Sequence, residues 1–380
     1  MTLTRLAPLA AAALLAMAAR AAASPNALTV VAVLQDDAAF AGAHDIEVRD
    51  GLAYIAGKGG SLAIVDVRQP ASPNLLWSAR DSQAYEDAQT VLPLGDNRLL
   101  VGARDLLLFD IRQPTQPTLL ATIKDRPRID RINGFARSGN TVYGANKNGF
   151  IVVADVSAPD RIRLLGVRPS RERDNLATPH DLALAGDLLV VVDGRSFGRE
   201  SKPGQVGVYR VVDPATRAPL APDQWSSPSI VSDLRFAGAN RVKTNGTLAF
   251  VCSSLAPESP RHTGLQNNVS IVDLSDPARL RVRGSIAFPD GRGPNGLEFS
   301  GQVVFAAGGQ TVQAIDVSNP DQPRELARVT APSAFPGEAD DGHDLAYHDG
   351  YLFVTAQTSH ALVVLRVEGR RLLDAADAGK

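Results

Sequence analysis

One segment recurs seven times along this 380-residue chain: an apolar run ending in Ile-Val-Asp-Val or a close variant, then a proline-containing turn. The copies are LAIVDVRQPASP (62–73), LLLFDIRQPTQP (106–117), FIVVADVSAP (150–159), VGVYRVVDP (206–214), VSIVDLSDP (269–277), VQAIDVSNPDQP (312–323) and ALVVLRVEG (361–369). A period of roughly 35–55 residues means that each copy belongs to one supersecondary unit, which buries its apolar face only by stacking on the next. Each unit divides into four short apolar strands punctuated by Gly, Asn or Pro, as in His44–Val48, Leu52–Ala56, Leu62–Val67 and Leu75–Ala79. Seven four-stranded units specify an all-β chain folded as a seven-bladed β-propeller.

The last unit stops after its third strand, Leu362–Val367. Residues Ser24 to Val33 align with the start of the first unit's fourth strand, Ser72 to Trp77. The N-terminal strand is therefore expected to complete the last blade and close the ring, which removes two exposed sheet edges.

These repeats resemble the LVIVD-repeat family of exported bacterial β-propellers, and the resemblance runs over nearly the whole of residues 24–369. It implies a single propeller domain over those residues. It implies no activity, because the recurring residues are structural and propellers carry unrelated functions.

The chain opens with a short basic start at Arg5, an apolar stretch from Leu6 to Ala19, and Ala21-Ala22-Ala23 before Ser24. That is the pattern of a secretory leader over residues 1–23, cleaved near Ala23, so a periplasmic or secreted location is expected. Residues 370–380 are expected to form a disordered tail. No other stretch approaches the roughly 20 apolar residues of a membrane-spanning helix. Removing Arg5 and Arg20 with the leader leaves 39 − 2 = 37 basic against 41 acidic residues, a net charge of −4. Nucleic-acid binding, which calls for a basic excess, is not expected. The one cysteine, Cys252, has no partner for an internal disulfide and sits in the apolar run Phe250-Val251-Cys252, as a small core residue would. A monomer is expected.

The aspartates that close the third strand (Asp66, Asp110, Asp155, Asp273 and Asp316) precede the recurring turn and are read as acceptors for turn N–H groups, as Asx-turn residues are. The variable positions lie elsewhere, at the start of each inner strand. Aligning the copies there gives His44-Asp45, Glu86-Asp87, Asn133-Gly134, His180-Asp181, Ser232-Asp233, Asn295-Gly296 and His343-Asp344, so three of the six histidines share one register at the channel mouth. Imidazole with carboxylate suits one divalent transition metal, Zn, Fe, Cu or Mn, held by His44, His180 and His343 with Glu86 as fourth ligand or general base. The alternative reading is that the His-Asp pairs tie neighbouring inner strands together.

Basic residues gather in loops on the same face: Lys58, Arg104, Lys147, Arg195, Arg199, Lys202, Arg261, His262 and His360, with Arg126, Arg128, Arg131, Arg168, Arg171, Arg173 and Arg292 in the connections between blades. A positive field focused at a concave mouth would draw in an anion. Interleaved acids would cancel part of that field. Three functions remain open. The first is a binding module for an anionic small molecule or an envelope protein partner, using Asn133, Ser232, Asn295, Lys58, Lys147, Arg195, Arg199, Arg261 and His360. The second is a metal-dependent hydrolase or lyase in which Glu86 or His262 moves protons. The third is a structural envelope component.

Overall fold

The computed structural model describes residues 27–194, 203–255, 264–330, 335 and 342–369. The expected leader and tail, and with them Arg195, Arg199, Lys202, Arg261 and His262, lie outside the described residues.

Period-2 burial and tight Gly-containing turns fold each repeat into a four-stranded antiparallel sheet, and seven such sheets form the ring. In blade 1 the strands run, from channel to rim, Ala43–Arg49, Leu52–Gly57, Ser61–Asp66 and Asn74–Arg80. Asp50 and Gly51, both at positive φ, make the first hairpin turn. Blade 7 is assembled from both ends of the chain. Its three strands from Gly342 to Val367 are completed by Leu28–Gln35, which pairs along its length with Ala361–Val367. The expected closure is present.

The core is divided into seven apolar clusters, each between two neighbouring blades. The second strands are buried on both faces, which is why they read as continuous apolar runs such as Leu188–Asp193. Cys252 is fully buried in the cluster between blades 5 and 6, where burial raises its thiol to about 12. A reactive thiolate is excluded by that environment.

All five third-strand aspartates accept the backbone N–H two residues on, from Arg68, Arg112, Ser157, Ser275 and Ser318, at 2.7–3.0 Å. Each also pairs with an arginine, nearby in the turn or on the outer strand. Their role is to fix the recurring turn. No helix among the described residues is long and apolar enough to cross a membrane.

Candidate functional site

The register at the channel mouth is set by a local irregularity. In five blades the inner strand carries a β-bulge at its second residue, between Ala43 and Asp45, Ile132 and Gly134, Pro179 and Asp181, Ala239 and Arg241, and Gly342 and Asp344. A bulge leaves one residue unpaired and re-aims its side chain. The bulged residues are His44, Asn133, His180, Asn240 and His343, and Gln89 and Asn295 complete the ring in blades 2 and 6.

Two sequence assignments are corrected here. Blade 2 begins its ladder at Thr90, so its ring residue is Gln89 and not Glu86. Glu86 lies three residues earlier, half-buried in the connection from blade 1, and its carboxylate is held by Arg104 at 2.8 Å and Arg126 at 3.7 Å. Ser232 is in the outer strand of blade 4, where its Oγ accepts from Gln205, and Asp233 caps a short 3-10 helix, Leu234–Phe236. That helix lengthens the connection, and the inner strand of blade 5 is Ala239–Asn245. The ring therefore reads His44, Gln89, Asn133, His180, Asn240, Asn295, His343.

At five of the seven seams a side chain of this ring stitches one blade to the ring residue of the next. His44 Nδ1 lies 2.8 Å from Gln89 O, His343 Nδ1 2.8 Å from His44 O, and His180 Nδ1 3.0 Å from Asn240 O. Asn133 Nδ2 donates to His180 O at 2.7 Å, and Asn240 Nδ2 to Asn295 Oδ1 at 2.9 Å. The following aspartate makes a second stitch: Asp45 accepts from Val91 N at 2.8 Å and Asp181 from Val242 N at 2.9 Å. The His-Asp pairs thus do tie neighbouring inner strands together. His44 and His343 lie against each other, ring centroids 4.0 Å apart and planes tilted by 38°. Among the described residues, no group of three or more His, Cys, Asp or Glu is arranged to hold a metal ion.

Arg241, in the aspartate register of blade 5, was missed by sequence reading and dominates the channel. Its side chain is 5% exposed and reaches Asp45 at 2.8 Å, Asp344 at 3.1 Å and the carbonyl of Asn133 at 3.0 Å. One guanidinium thus joins blade 5 to blades 1, 3 and 7 across the axis. Burial alone would depress its pKa, but Asp344, Asp45 and Asp181 hold it above the ordinary arginine value. Burial raises the Asp344 carboxyl well above its usual range against the pull of Arg241, and its protonated form can donate to Asp45. The five-donor fork of arginine suits this three-way contact.

Arg241 also lines both cavities of the channel. The inner chamber, about 250 Å³, is lined by Asp45, Glu47, Asp181 and Asp344 with Lys243 and Arg137. Lys243 pairs with Glu298 at 3.0 Å. Burial raises Glu47 to about 7, with Asp45 and Glu298 adding to the effect and Lys243 opposing it. The unfolded chain releases that proton from an ordinary value of 4.5. Glu47 therefore contributes stability below about pH 4.5 that is lost as the pH rises to about 7. Over that window the wild type is expected to lose roughly 1–3 kcal/mol more than Glu47→Gln, read from urea unfolding at several pH values. Parallel curves for the two proteins would contradict this.

The outer chamber at the mouth, about 260 Å³, is lined by His44, His180, His343, Lys58, Lys147 and Arg241, with Asn240, Ser254 and Asn295. Among the described residues no carboxylate lines it, although Asp87 lies near enough to act on Lys58 and Lys147. Burial, aided by the neighbouring cations, holds all three imidazoles well below their ordinary value, so they are neutral at pH 7. Lys58 stands at the rim and still meets solvent, yet desolvation in the concave mouth lowers it to about 8. Lys147 is half-buried and held well below its ordinary value, first by burial and then by Lys58. Its Nζ donates to Gln89 Oε1 at 2.7 Å. Neither lysine forms an ion pair among the described residues.

The other expected basic residues behave differently. Arg104 is held by Glu86 and Asp130, Arg126 lies against Glu86 and Asp105, Arg128 pairs with Asp125 and Arg131 with Asp87. Arg168 forms a fully buried pair with Asp174 at 2.7 Å. His360 lies at the ring seam, 3.4 Å from Asp37, away from the chamber. Asn133 serves the stitching, and its backbone carbonyl accepts from Arg241.

A seven-bladed propeller with a chamber at one mouth lined by Lys58, Lys147, Arg241 and three histidines is the class of protein defined by this geometry. Residues 42–81 match the family model of the LVIVD repeat, and they span blade 1. No curated protein sequence matches the chain. Among solved structures, the Pan2 WD40 domain of Neurospora crassa is 12% identical with a TM-score of 0.61, covering 90% of this chain and 95% of that one. A chain of the mitotic checkpoint complex is 12% identical, with a TM-score of 0.62 and coverage of 97% and 98%. The WD40 β-propeller domain of Doa1 is 9% identical, with a TM-score of 0.63 and coverage of 91% and 99%. At these identities the likeness is one of fold.

Proposed function

We propose that the protein is a binding module that takes up a small anion at the channel mouth. The observation that carries this reading is the sorting of charge along the channel. The carboxylates line the inner chamber around Arg241, while the outer chamber gathers Lys58, Lys147 and Arg241 against neutral imidazoles. Two ammonium groups held below their ordinary pKa in one concavity, by desolvation and by Arg241 against the pull of Asp87, are stabilised by an anion placed between them. The rigid ring supplies preorganisation, since the histidines that line the chamber are fixed by the stitches between blades.

The test is calorimetric titration with inorganic phosphate, sulfate and malonate at low ionic strength. Lys58→Met and Lys147→Met are each expected to weaken binding roughly tenfold or more, the cost of losing a charge-assisted hydrogen bond. Added salt weakens what remains. Absence of binding by all three anions, or affinities untouched by both substitutions, would sink the proposal.

The same proposal places the protein outside the cytoplasm, on the strength of the leader pattern at residues 1–23. Amino-terminal sequencing of the exported chain reads the cleavage directly, with Ser24 as the expected first residue.

A further inference from the structure

The mouth presents more than positive charge. His44 and His343 each direct Nδ1 at a backbone carbonyl, Gln89 O and His44 O, both at 2.8 Å. A carbonyl only accepts, so Nδ1 carries the proton in both rings and Nε2 carries a lone pair. The chamber these rings line therefore combines ammonium donors, on Lys58 and Lys147, with two imidazole acceptors. An anion that only accepts hydrogen bonds meets the lysines well and the imidazole lone pairs badly.

Building on the anion-binding reading above, we infer that the mouth selects an oxyanion that carries its own proton at neutral pH, of the hydrogen phosphate kind. Its unprotonated oxygens accept from Lys58 and Lys147, and its hydroxyl donates to Nε2 of His44 or His343. Sulfate matches it in shape and charge but has no proton to give, so one of its oxygens faces a lone pair in a site where such a mismatch is costly. A phosphate monoester in its dianionic form is in the same position as sulfate.

The experiment compares inorganic phosphate, sulfate and methyl phosphate by calorimetry at about pH 7.5, where every form of inorganic phosphate retains a proton and the monoester is mostly a dianion. Phosphate is expected to bind roughly tenfold or more tightly than either of the others. His44→Leu combined with His343→Leu removes both acceptors together with the two stitches. In that variant, checked for folding by circular dichroism, the three affinities should come together. Equal affinities in the wild type would overturn the inference while leaving the anion reading intact. So would methyl phosphate binding as tightly as phosphate, or malonate binding where phosphate does not. Failure of every anion to bind would overturn both readings.

Discussion

Replacing Arg241 by methionine is expected to destabilise the protein by about 3–5 kcal/mol, the usual consequence of removing one partner from a buried ionic cluster. The substitution keeps much of the side-chain volume, so little of that loss comes from packing. What it removes is, among the described residues, the only cation in contact with both Asp45 and Asp344, whose side chains are 9% and 8% exposed. It also removes the donor to Asn133 O. The two carboxyls then face each other without a counter-charge, and the variant should regain stability as the pH falls and they take up protons. Adding Asp45→Asn and Asp344→Asn to the methionine variant should recover most of the loss, since the cost arises from uncompensated charge. Urea unfolding of the three proteins decides the matter. A loss under about 1 kcal/mol for the single variant would show that Arg241 is no strut.

The second large effect is expected at the ring seam. Deleting residues 24–35 removes the outer strand of blade 7, seven paired positions along Ala361–Val367, and the apolar side chains that Leu28, Val30, Ala32 and Leu34 pack into two clusters. The Ala361–Val367 strand is then an open edge, free to pair with another molecule. The melting temperature is expected to fall by roughly 10 °C or more, with aggregation that grows with concentration. Moving the same residues to follow Gly369 should restore stability, because the strand needs pairing and not its place in the sequence. A deletion variant that melts with the wild type would refute this account of closure.

The scaffold was legible because it repeats. Strand order, blade number, ring closure and the turn-binding aspartates all follow from patterns seen several times over, so that one imperfect copy does little harm. The ring register was legible only where histidine stood out. In blade 2 the acidic Glu86-Asp87 resembled a His-Asp pair, and in blade 5 Ser232-Asp233 did so because the added 3-10 helix moved the inner strand downstream.

A local count would have corrected both. In each blade the ring residue lies five positions before the residue that closes the first hairpin: Arg49 in blade 1, Leu94 in blade 2 and Asn245 in blade 5 give His44, Gln89 and Asn240. The fall of charge between the two chambers was not legible. Arg241 and Lys243 read as ordinary polar residues of a half-buried strand until the ring brings three other blades against them. Nor does the sequence show which loop arginines are neutralised, since Arg104 meets Glu86 of the connection entering blade 2 and Asp130 of the connection leaving it only once the blade is folded.

Closure by the N-terminal strand also sets an order of events. Leu28 pairs with Val367, 367 − 28 = 339 positions away, so this strand leaves the ribosome long before its partner does. Blades 1 to 6 can each form from contiguous sequence, whereas the seventh waits for the end of the chain. Contacts of such separation slow folding, because the loop must be closed before they form. Ring closure should then be the late, rate-limiting step of assembly, and a chain kept from reaching its C-terminus would be held open, as an arc.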